Sequence, residues 1–157
     1  MELLAGDALV AETTALIPHP YPPGAALEWI ATHEAAAAAA REYTYAITEP
    51  GGVLVGAIGL RPHLTEHENV GYWIGRPYWG RGYATAAAQA LIAVGFGLID
   101  LPTITASHLA RNAASGRVME KCGMTLVRTD RREHRGAVED FSVRGITREA
   151  WEKRIDG

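Results

Sequence analysis

The 157-residue sequence lacks what several large protein classes require. Its single cysteine, Cys122, excludes a disulfide framework and a cysteine-rich zinc site. Fifteen Lys and Arg stand against 18 Asp and Glu, for a net charge of −3, so we expect no basic surface for nucleic acid or anionic lipid. No apolar run reaches the length of a membrane helix, and no amino-terminal signal is present. These absences predict a cytoplasmic protein with one domain over residues 1–157 and with no nucleic-acid or membrane partner.

The histidines do not form a metal-binding motif. His63 and His67 lie four residues apart, the spacing of a helical ligand pair. Pro62 and the polar stretch TEHEN favour a loop at this place, so we expect no metal.

Hydrophobic periodicity predicts an α+β fold, with a mixed, mostly antiparallel sheet flanked by helices. The amino-terminal half is predicted to hold a helix at 24–40, a hairpin of the strands Tyr43–Thr48 and Val53–Leu60, and a third strand, NVGYWI. A long core-facing helix follows, then the strand TITASHL, the short helix AASGRVMEKC, and two closing strands, MTLVRTDRR and EDFSVRGI.

A glycine turn precedes the long helix. Gly80 and Gly82 flank Arg81, so no bulky neighbour keeps a ligand from the main chain there. The first N–H groups of a helix lack internal partners, and the helix dipole adds positive charge, so phosphate or pyrophosphate is the expected ligand. An ordinary tight turn is the alternative interpretation.

Two phosphate-binding folds fit this turn poorly. A Walker loop is excluded because no Gly-Lys-Ser/Thr follows the glycines. In a dinucleotide fold, the acidic residue about twenty positions on ends the second strand, whereas Asp100 precedes Pro102 and a strand. The third glycine position is also occupied by Thr85.

Several ordered motifs carry a family resemblance. WGRGYA at 79–84, which follows NVGYWI and precedes RNAASGRVMEKCGM at 111–124, resembles the GNAT superfamily of acyl-CoA N-acyltransferases, and within it the ribosomal-protein N-terminal acetyltransferases. The similarity runs from about Ile17 to the closing ITREAW. It implies a GNAT-like fold and acetyl transfer from acetyl-CoA to a primary amine by direct attack in a ternary complex. The amine is either a protein amino terminus or a small molecule.

The resemblance also implies roles for individual residues. The pyrophosphate of coenzyme A would be held by backbone amides of Arg81, Gly82, Tyr83, Ala84 and Thr85. The pantetheine arm would pair with the backbone of Tyr72, Trp73 and Ile74, and an N–H near Ile74 would polarise the thioester carbonyl. Asn112 would contact the pantetheine, and the Ser115 hydroxyl would lie close to the sulfur. Helix capping by Asn112 and an ordinary first-turn role for Ser115 are the alternatives.

The sequence departs from the family at catalytic positions. Met119 replaces a tyrosine that often serves as the acid, which leaves Ser115 as the candidate, and Trp79 replaces Gln or Arg. The carboxylate often found in this branch aligns near Asn69, so the predicted base is Glu66 or Glu68, with His67 between them. All three are equally consistent with solubilising loop residues. A non-catalytic acyl-CoA sensor is therefore an alternative function.

The amino terminus departs as well. MELLAGD offers four residues before its glycine, so the first strand of the family is expected to be short or missing. An uncovered sheet edge predicts a homodimer.

Overall fold

Two three-stranded antiparallel sheets lie side by side in the computed structural model, which describes residues 1–64 and 68–156. The strand order is β1-β2-β3 in one sheet and β4-β6-β5 in the other. The strands are β1 Tyr43–Thr48, β2 Leu54–Leu60, β3 Val70–Ile74, β4 Thr103–Leu109, β5 Thr125–His134 and β6 Ala137–Thr147. The helices are α1 Glu2–Ala5, α2 Ala8–Glu12, α3 Ala25–Ala31, α4 His33–Ala38, α5 Tyr83–Gly97, α6 Ala113–Lys121 and α7 Arg148–Ile155, with a 3₁₀ turn at Arg76–Tyr78. The predicted fold class is confirmed.

Helix α5 packs closely on the sheets because its core-facing side carries a glycine. A Cβ on Gly95 would lie 2.6 Å from Cδ1 of Ile104 on β4. The neighbouring Phe96 is buried, and so is Leu60 of β2. This close contact holds α5, and with it the glycine turn before α5, against both sheets.

The amino terminus is helical, in agreement with the expected loss of the first strand. The Asp7 side chain accepts a hydrogen bond from the Leu9 N–H at 2.9 Å and so caps α2. Ala5, Val10 and Ala11 are buried. Short helices thus take the place of the strand that the family resemblance implied.

The helix predicted at 24–40 is two helices. The Thr32 hydroxyl donates to the Trp29 carbonyl at 2.7 Å, and α3 ends at Ala31. Local bonds of this kind compete with helix continuation. Alanine periodicity indicated the helical state but not the break.

The turn of the β5–β6 hairpin reaches back to the amino-terminal segment. Arg135 and Gly136 form the turn, both with positive φ. The Arg135 guanidinium donates to the carbonyls of Ala11 at 2.7 Å and Ile17 at 2.5 Å. The hairpin therefore anchors the chain that follows α2.

No helix in the described part of the chain is long and apolar enough to span a membrane.

Candidate active site

Strands β3 and β4 touch at one point and then separate. The Asn69 N–H donates to the Thr105 carbonyl at 3.1 Å, and the Thr105 N–H donates to Oδ1 of Asn69 at 2.9 Å. Asn69 is buried, and its Nδ2 also reaches the Thr103 carbonyl at 3.4 Å. The residue aligned with the family carboxylate therefore joins the two sheets instead of facing a substrate.

A cleft of about 1010 Å³ opens where the two strands part. It is lined by β3 and β4, by the first turns of α5 and α6, and by residues 13–18 after α2. All but Arg81 of the residues predicted to bind the cofactor line this cleft: Tyr72, Trp73, Ile74, Gly82, Tyr83, Ala84, Thr85, Asn112 and Ser115.

The glycine turn presents a row of free amides to the cleft. Gly80 and Gly82 have φ of 75° and 85°, a region that side-chain-bearing residues rarely adopt. The backbone N–H groups of residues 80–85 donate to no described residue. A Cβ on either glycine would have no atom within 4 Å. The turn therefore has the free N–H donors and the open space that anion binding at a helix N-terminus requires.

The carboxylate of Glu49 lies beside the glycine turn. Glu49 lies 3.6 Å from Arg81 and accepts a hydrogen bond from the Tyr83 hydroxyl at 2.6 Å. That hydrogen bond raises the pKa of Tyr83. Arg81 is thus partly neutralised when no anion is bound.

Replacing Glu49 by Gln is expected to strengthen acetyl-CoA binding by about 2- to 5-fold, the range of one exposed charge interaction. The change removes a negative charge beside Arg81 and beside the expected phosphate position. Calorimetric dissociation constants measure the effect, and the gain should shrink at high salt. Glu149→Gln on α7, which breaks an exposed pair with Lys153, is the matched control. Weaker binding by Glu49→Gln would contradict the prediction.

Strand β3 exposes alternate backbone groups to the cleft. The Arg61 N–H donates to the Asn69 carbonyl at 2.8 Å, and the Gly75 N–H donates to the Val55 carbonyl at 2.7 Å. In an antiparallel pair, backbone groups face the partner at every second residue. Odd-numbered residues, including Trp73, therefore face β2, while Tyr72 and Ile74 turn their backbone groups to the cleft. Pairing of a ligand with β3 thus falls to these two residues.

Trp79 covers one of these backbone groups. Its indole N–H donates to the Ile74 carbonyl at 2.7 Å. Because the Ile74 carbonyl is occupied by this bond, the Ile74 N–H is the backbone group of Ile74 that stays open to the cleft. Trp79 departs from the Gln or Arg of the family pattern, and the sequence alone predicted no role for it.

The side chains of Tyr72 and Ser115 meet at the cleft. The Tyr72 hydroxyl lies 2.7 Å from Oγ of Ser115, and Asn112 caps α6 by accepting from the Ser115 N–H at 3.2 Å. Burial raises the pKa of Tyr72 to about 12, against the opposing hydrogen bond from Ser115. The phenol is therefore protonated at neutral pH and can donate to Ser115, which frees the serine proton for another acceptor.

Sequence reasoning missed the Tyr72 side chain, although period-two alternation places it on the same face as Val70 and Ile74, which belong to the core packed against α5. It also missed His108 on β4, which is buried. Nδ1 of His108 lies 2.9 Å from the Leu109 carbonyl, so Nδ1 donates to this carbonyl and Nε2 is the ring nitrogen left over. That nitrogen is buried with no partner among the described residues.

The predicted base Glu68 is held by two arginines. It accepts from Arg132 at 2.6 Å and from Arg128 at 3.2 Å. Burial opposes its ionisation, but the two guanidinium groups outweigh burial and lower the pKa of Glu68. A carboxylate of lowered pKa is a weaker proton acceptor. Glu66 and His67 lie outside the described residues.

Cys122 is buried, and its Sγ lies 3.9 Å from the Thr85 carbonyl. Burial raises the pKa of its thiol, which disfavours the reactive thiolate. Across residues 1–64 and 68–156, no group of three or more metal-binding side chains is arranged to hold an ion.

Curated relatives match part of the chain. The uncharacterized protein YkkB of Bacillus subtilis is 37% identical over 84 residues, which are 52% of this chain and 49% of that protein. The FsC-acetyl coenzyme A-N(2)-transacetylase of Aspergillus fumigatus is 31% identical over 91 residues, which are 55% of this chain and 39% of that enzyme. The chain thus spans half or less of the length of these relatives.

Solved structures share the fold over nearly the whole chain. A GNAT-family acetyltransferase from Bacillus anthracis superposes with a TM-score of 0.80 at 24% identity, covering 95% of this chain and 87% of that one. RimL, a ribosomal L7/L12 alpha-N-protein acetyltransferase in complex with coenzyme A, gives 0.82 at 14% identity, covering 95% and 86%. The spermidine N-acetyltransferase of Vibrio cholerae, in complex with CoA and spermine, gives 0.78 at 15%, covering 96% and 89%.

The family itself follows from the sequence match to its model. The acetyltransferase (GNAT) domain model matches residues 2–125, which include the glycine turn, both cleft-lining strands and the whole of α6. With this match and the shared fold, the chain belongs to the GNAT acetyltransferase family.

Proposed function

We propose that this protein transfers an acetyl group from acetyl-CoA to a primary amine. The observation that carries the proposal is the convergence on one cleft of the free amides at 80–85, the backbone edge of β3 and the Tyr72–Ser115 pair. The enzymes similar in fold include complexes with CoA, such as RimL and the spermidine N-acetyltransferase, which supports acetyl-CoA as the cosubstrate.

The residues present fit two parts of coenzyme A, the pyrophosphate and the pantetheine arm. The amides around Gly82 offer the pyrophosphate a row of donors without steric obstruction. The outward backbone groups of Tyr72 and Ile74 offer the amide-containing pantetheine arm the pairing of an added strand. Asn112 uses Oδ1 to cap α6, so its Nδ2 is the group that would face the pantetheine.

The Ile74 N–H and the Ser115 hydroxyl stabilise the two atoms on which negative charge develops, the thioester oxygen and the sulfur. The Ile74 N–H donates to the thioester oxygen as negative charge develops there. The amine lone pair forms the C–N bond while the C–S bond breaks, and the electron pair of that bond leaves on sulfur. Ser115 donates to this sulfur, supported by the donated hydrogen bond of Tyr72. No enzyme-bound acyl intermediate is required.

The base that removes the amine proton remains a prediction from the sequence, with Glu66 and Glu68 as the candidates. Glu68 lines the cleft, but its arginine pairs favour a structural contribution in this state. Release of Glu68 from Arg132 on acceptor binding would restore its basicity. The acceptor class, the cytoplasmic location, the single domain over 1–157 and the homodimer are likewise proposals.

A thiol-release assay with acetyl-CoA and a mixed panel of amines and peptides tests the proposed function. We expect free coenzyme A to form only when an acceptor is present, with one acetylated product per thiol. Binding of acetyl-CoA without turnover on any acceptor would contradict the proposal and favour the acyl-CoA sensor.

A further inference from the structure

A histidine ring lies between strand β4 and the first turns of α6. His108 is 8% exposed and lies on the same face of β4 as Ile104, which packs against α5. A Cβ on Gly116 of α6 would lie 3.0 Å from Cε1 and 3.1 Å from Nε2 of this ring. Gly116 has no positive φ, so it is the ring and not the backbone that disfavours a side chain there. The imidazole therefore sets how closely α6 approaches β4.

Hydrogen bonds connect the same ring to Ser115. Nδ1 of His108 donates to the Leu109 carbonyl at 2.9 Å, and this carbonyl also accepts from the Asn112 N–H at 2.8 Å. Oδ1 of Asn112 in turn accepts from the Ser115 N–H at 3.2 Å. The turn between β4 and α6 is thus held at one end by the His108 side chain and at the other by the cap of α6.

The position of α6 matters because Ser115 has to reach across the gap between β3 and β4. The Tyr72 hydroxyl on β3 lies 2.7 Å from Oγ of Ser115 and 3.3 Å from the Ser115 carbonyl. A movement of α6 relative to β4 therefore moves Ser115 relative to the backbone of β3, where the thioester is proposed to bind. A misplacement of about 1 Å in a reacting group can cost on the order of 100-fold in rate.

We propose that His108 is a positioning residue for acetyl transfer and that it acts through Ser115. Its ring fixes the separation of α6 from β4, and its Nδ1–H fixes the turn that leads into α6. The inference rests on the proposed function, because it gives His108 a role in the reaction of the same cleft. It requires no contact between His108 and a ligand, which agrees with the burial of Nε2.

Two substitutions of similar shape test the hydrogen bond. His108→Asn keeps a donor for the Leu109 carbonyl, because the Asn amide nitrogen lies about where Nδ1 does, whereas His108→Leu has no donor. Thiol release is measured with acetyl-CoA and the most active acceptor of the panel. We expect kcat to fall by about 5- to 20-fold in His108→Leu and by less than about 3-fold in His108→Asn, with KM for acetyl-CoA changed by less than about 3-fold in both.

Thermal melting of the same two variants separates positioning from stability. Burying the amide oxygen of Asn is costly, whereas Leu is apolar, so His108→Leu should be the more stable variant and also the slower one. If His108 only stabilised the fold, the more stable variant would keep the higher kcat.

Gly116→Ala tests the contact with the ring. The added methyl group would crowd Cε1 and Nε2 of His108, so kcat should fall by about 3- to 10-fold. These two ring atoms are absent in His108→Asn, so in that background the same change should cost less than about 2-fold. Gly97→Ala on α5, where a Cβ meets no atom within 4 Å, is the matched control and should leave kcat unchanged.

A Ser115→Ala background tests whether His108 acts through the serine. With no hydroxyl left to position, His108→Leu should lower kcat no further in this background. A full additional loss of kcat would show that His108 acts by another route and would overturn the inference.

Two further outcomes would overturn the inference while acetyl transfer stands. One is wild-type kcat in Gly116→Ala, and the other is a kcat of His108→Leu that equals or exceeds that of His108→Asn. The absence of thiol release by the wild type with every acceptor would overturn the proposed function, and this inference with it. Acetyl-CoA binding checks that the variants fold, and if His108→Leu does not, Gly116→Ala with and without His108→Asn decides.

Discussion

Gly82→Asp is expected to lower the affinity for acetyl-CoA by about 100-fold or more, which corresponds to roughly 2.7 kcal/mol. The new carboxylate stands at the helix entrance where the pyrophosphate is expected, so it repels the ligand by charge and occupies its volume. Isothermal titration calorimetry measures the loss directly. Asp tolerates the left-handed backbone better than most residues, and a Cβ at Gly82 meets no other atom, so the fold should persist.

Gly82→Asn separates charge from volume in this experiment. Asn has nearly the same shape and the same tolerance of positive φ, but carries no charge. We expect its affinity to lie between those of the wild type and Gly82→Asp, with a weaker dependence on salt. Tight binding of acetyl-CoA by Gly82→Asp would place the phosphate site elsewhere and contradict the role given to the glycine turn.

Ser115→Ala is expected to lower kcat by about 10- to 100-fold with little change in KM for acetyl-CoA, since its hydrogen bond strengthens as charge builds on the departing sulfur. A serine works here by donating a hydrogen bond and relaying a proton, which limits the loss. Steady-state and single-turnover kinetics on the folded variant measure the effect. Tyr72→Phe should reproduce part of the loss, because it removes the donor 2.7 Å from the serine oxygen.

Asn112→Ala supplies the contrast on the same helix. If Asn112 holds the pantetheine equally in the ground and transition states, its loss raises KM for acetyl-CoA and leaves kcat nearly unchanged. Wild-type turnover in Ser115→Ala would reduce the serine to a first-turn helix residue and leave the thiolate to be protonated by water.

The local order of the fold was predictable wherever the pattern was regular. Strands Tyr43–Thr48 and Thr103–Leu109 were predicted to the residue, since each is bounded by turn residues. The break at Thr32 was not predictable from spacing, because small and apolar residues continue on both sides of it. At the amino terminus, the missing strand was predicted, but the helices that take its place were not.

The candidate site was predictable only for groups that act through the backbone. Glycines directly before a helix predict a turn with free backbone amides, since only glycine adopts such φ values readily. The Tyr72–Ser115 contact joins residues 43 positions apart, one on strand β3 and one on helix α6. Contacts of this kind depend on the register of strands, which a single sequence specifies weakly.

The hydrogen bonds from Arg135 to the carbonyls of Ala11 and Ile17 affect the order of folding. These bonds join residues 124 and 118 positions apart, so they close a long loop. During synthesis residues 11–17 emerge well before Arg135, the residue that anchors them. The entropy cost of closing this loop is offset by the Arg135 contacts only after the β5–β6 hairpin has formed. We therefore expect residues 13–18, a wall of the cleft, to dock after the sheets have formed and to open first under denaturant, with early hydrogen exchange confined to that segment.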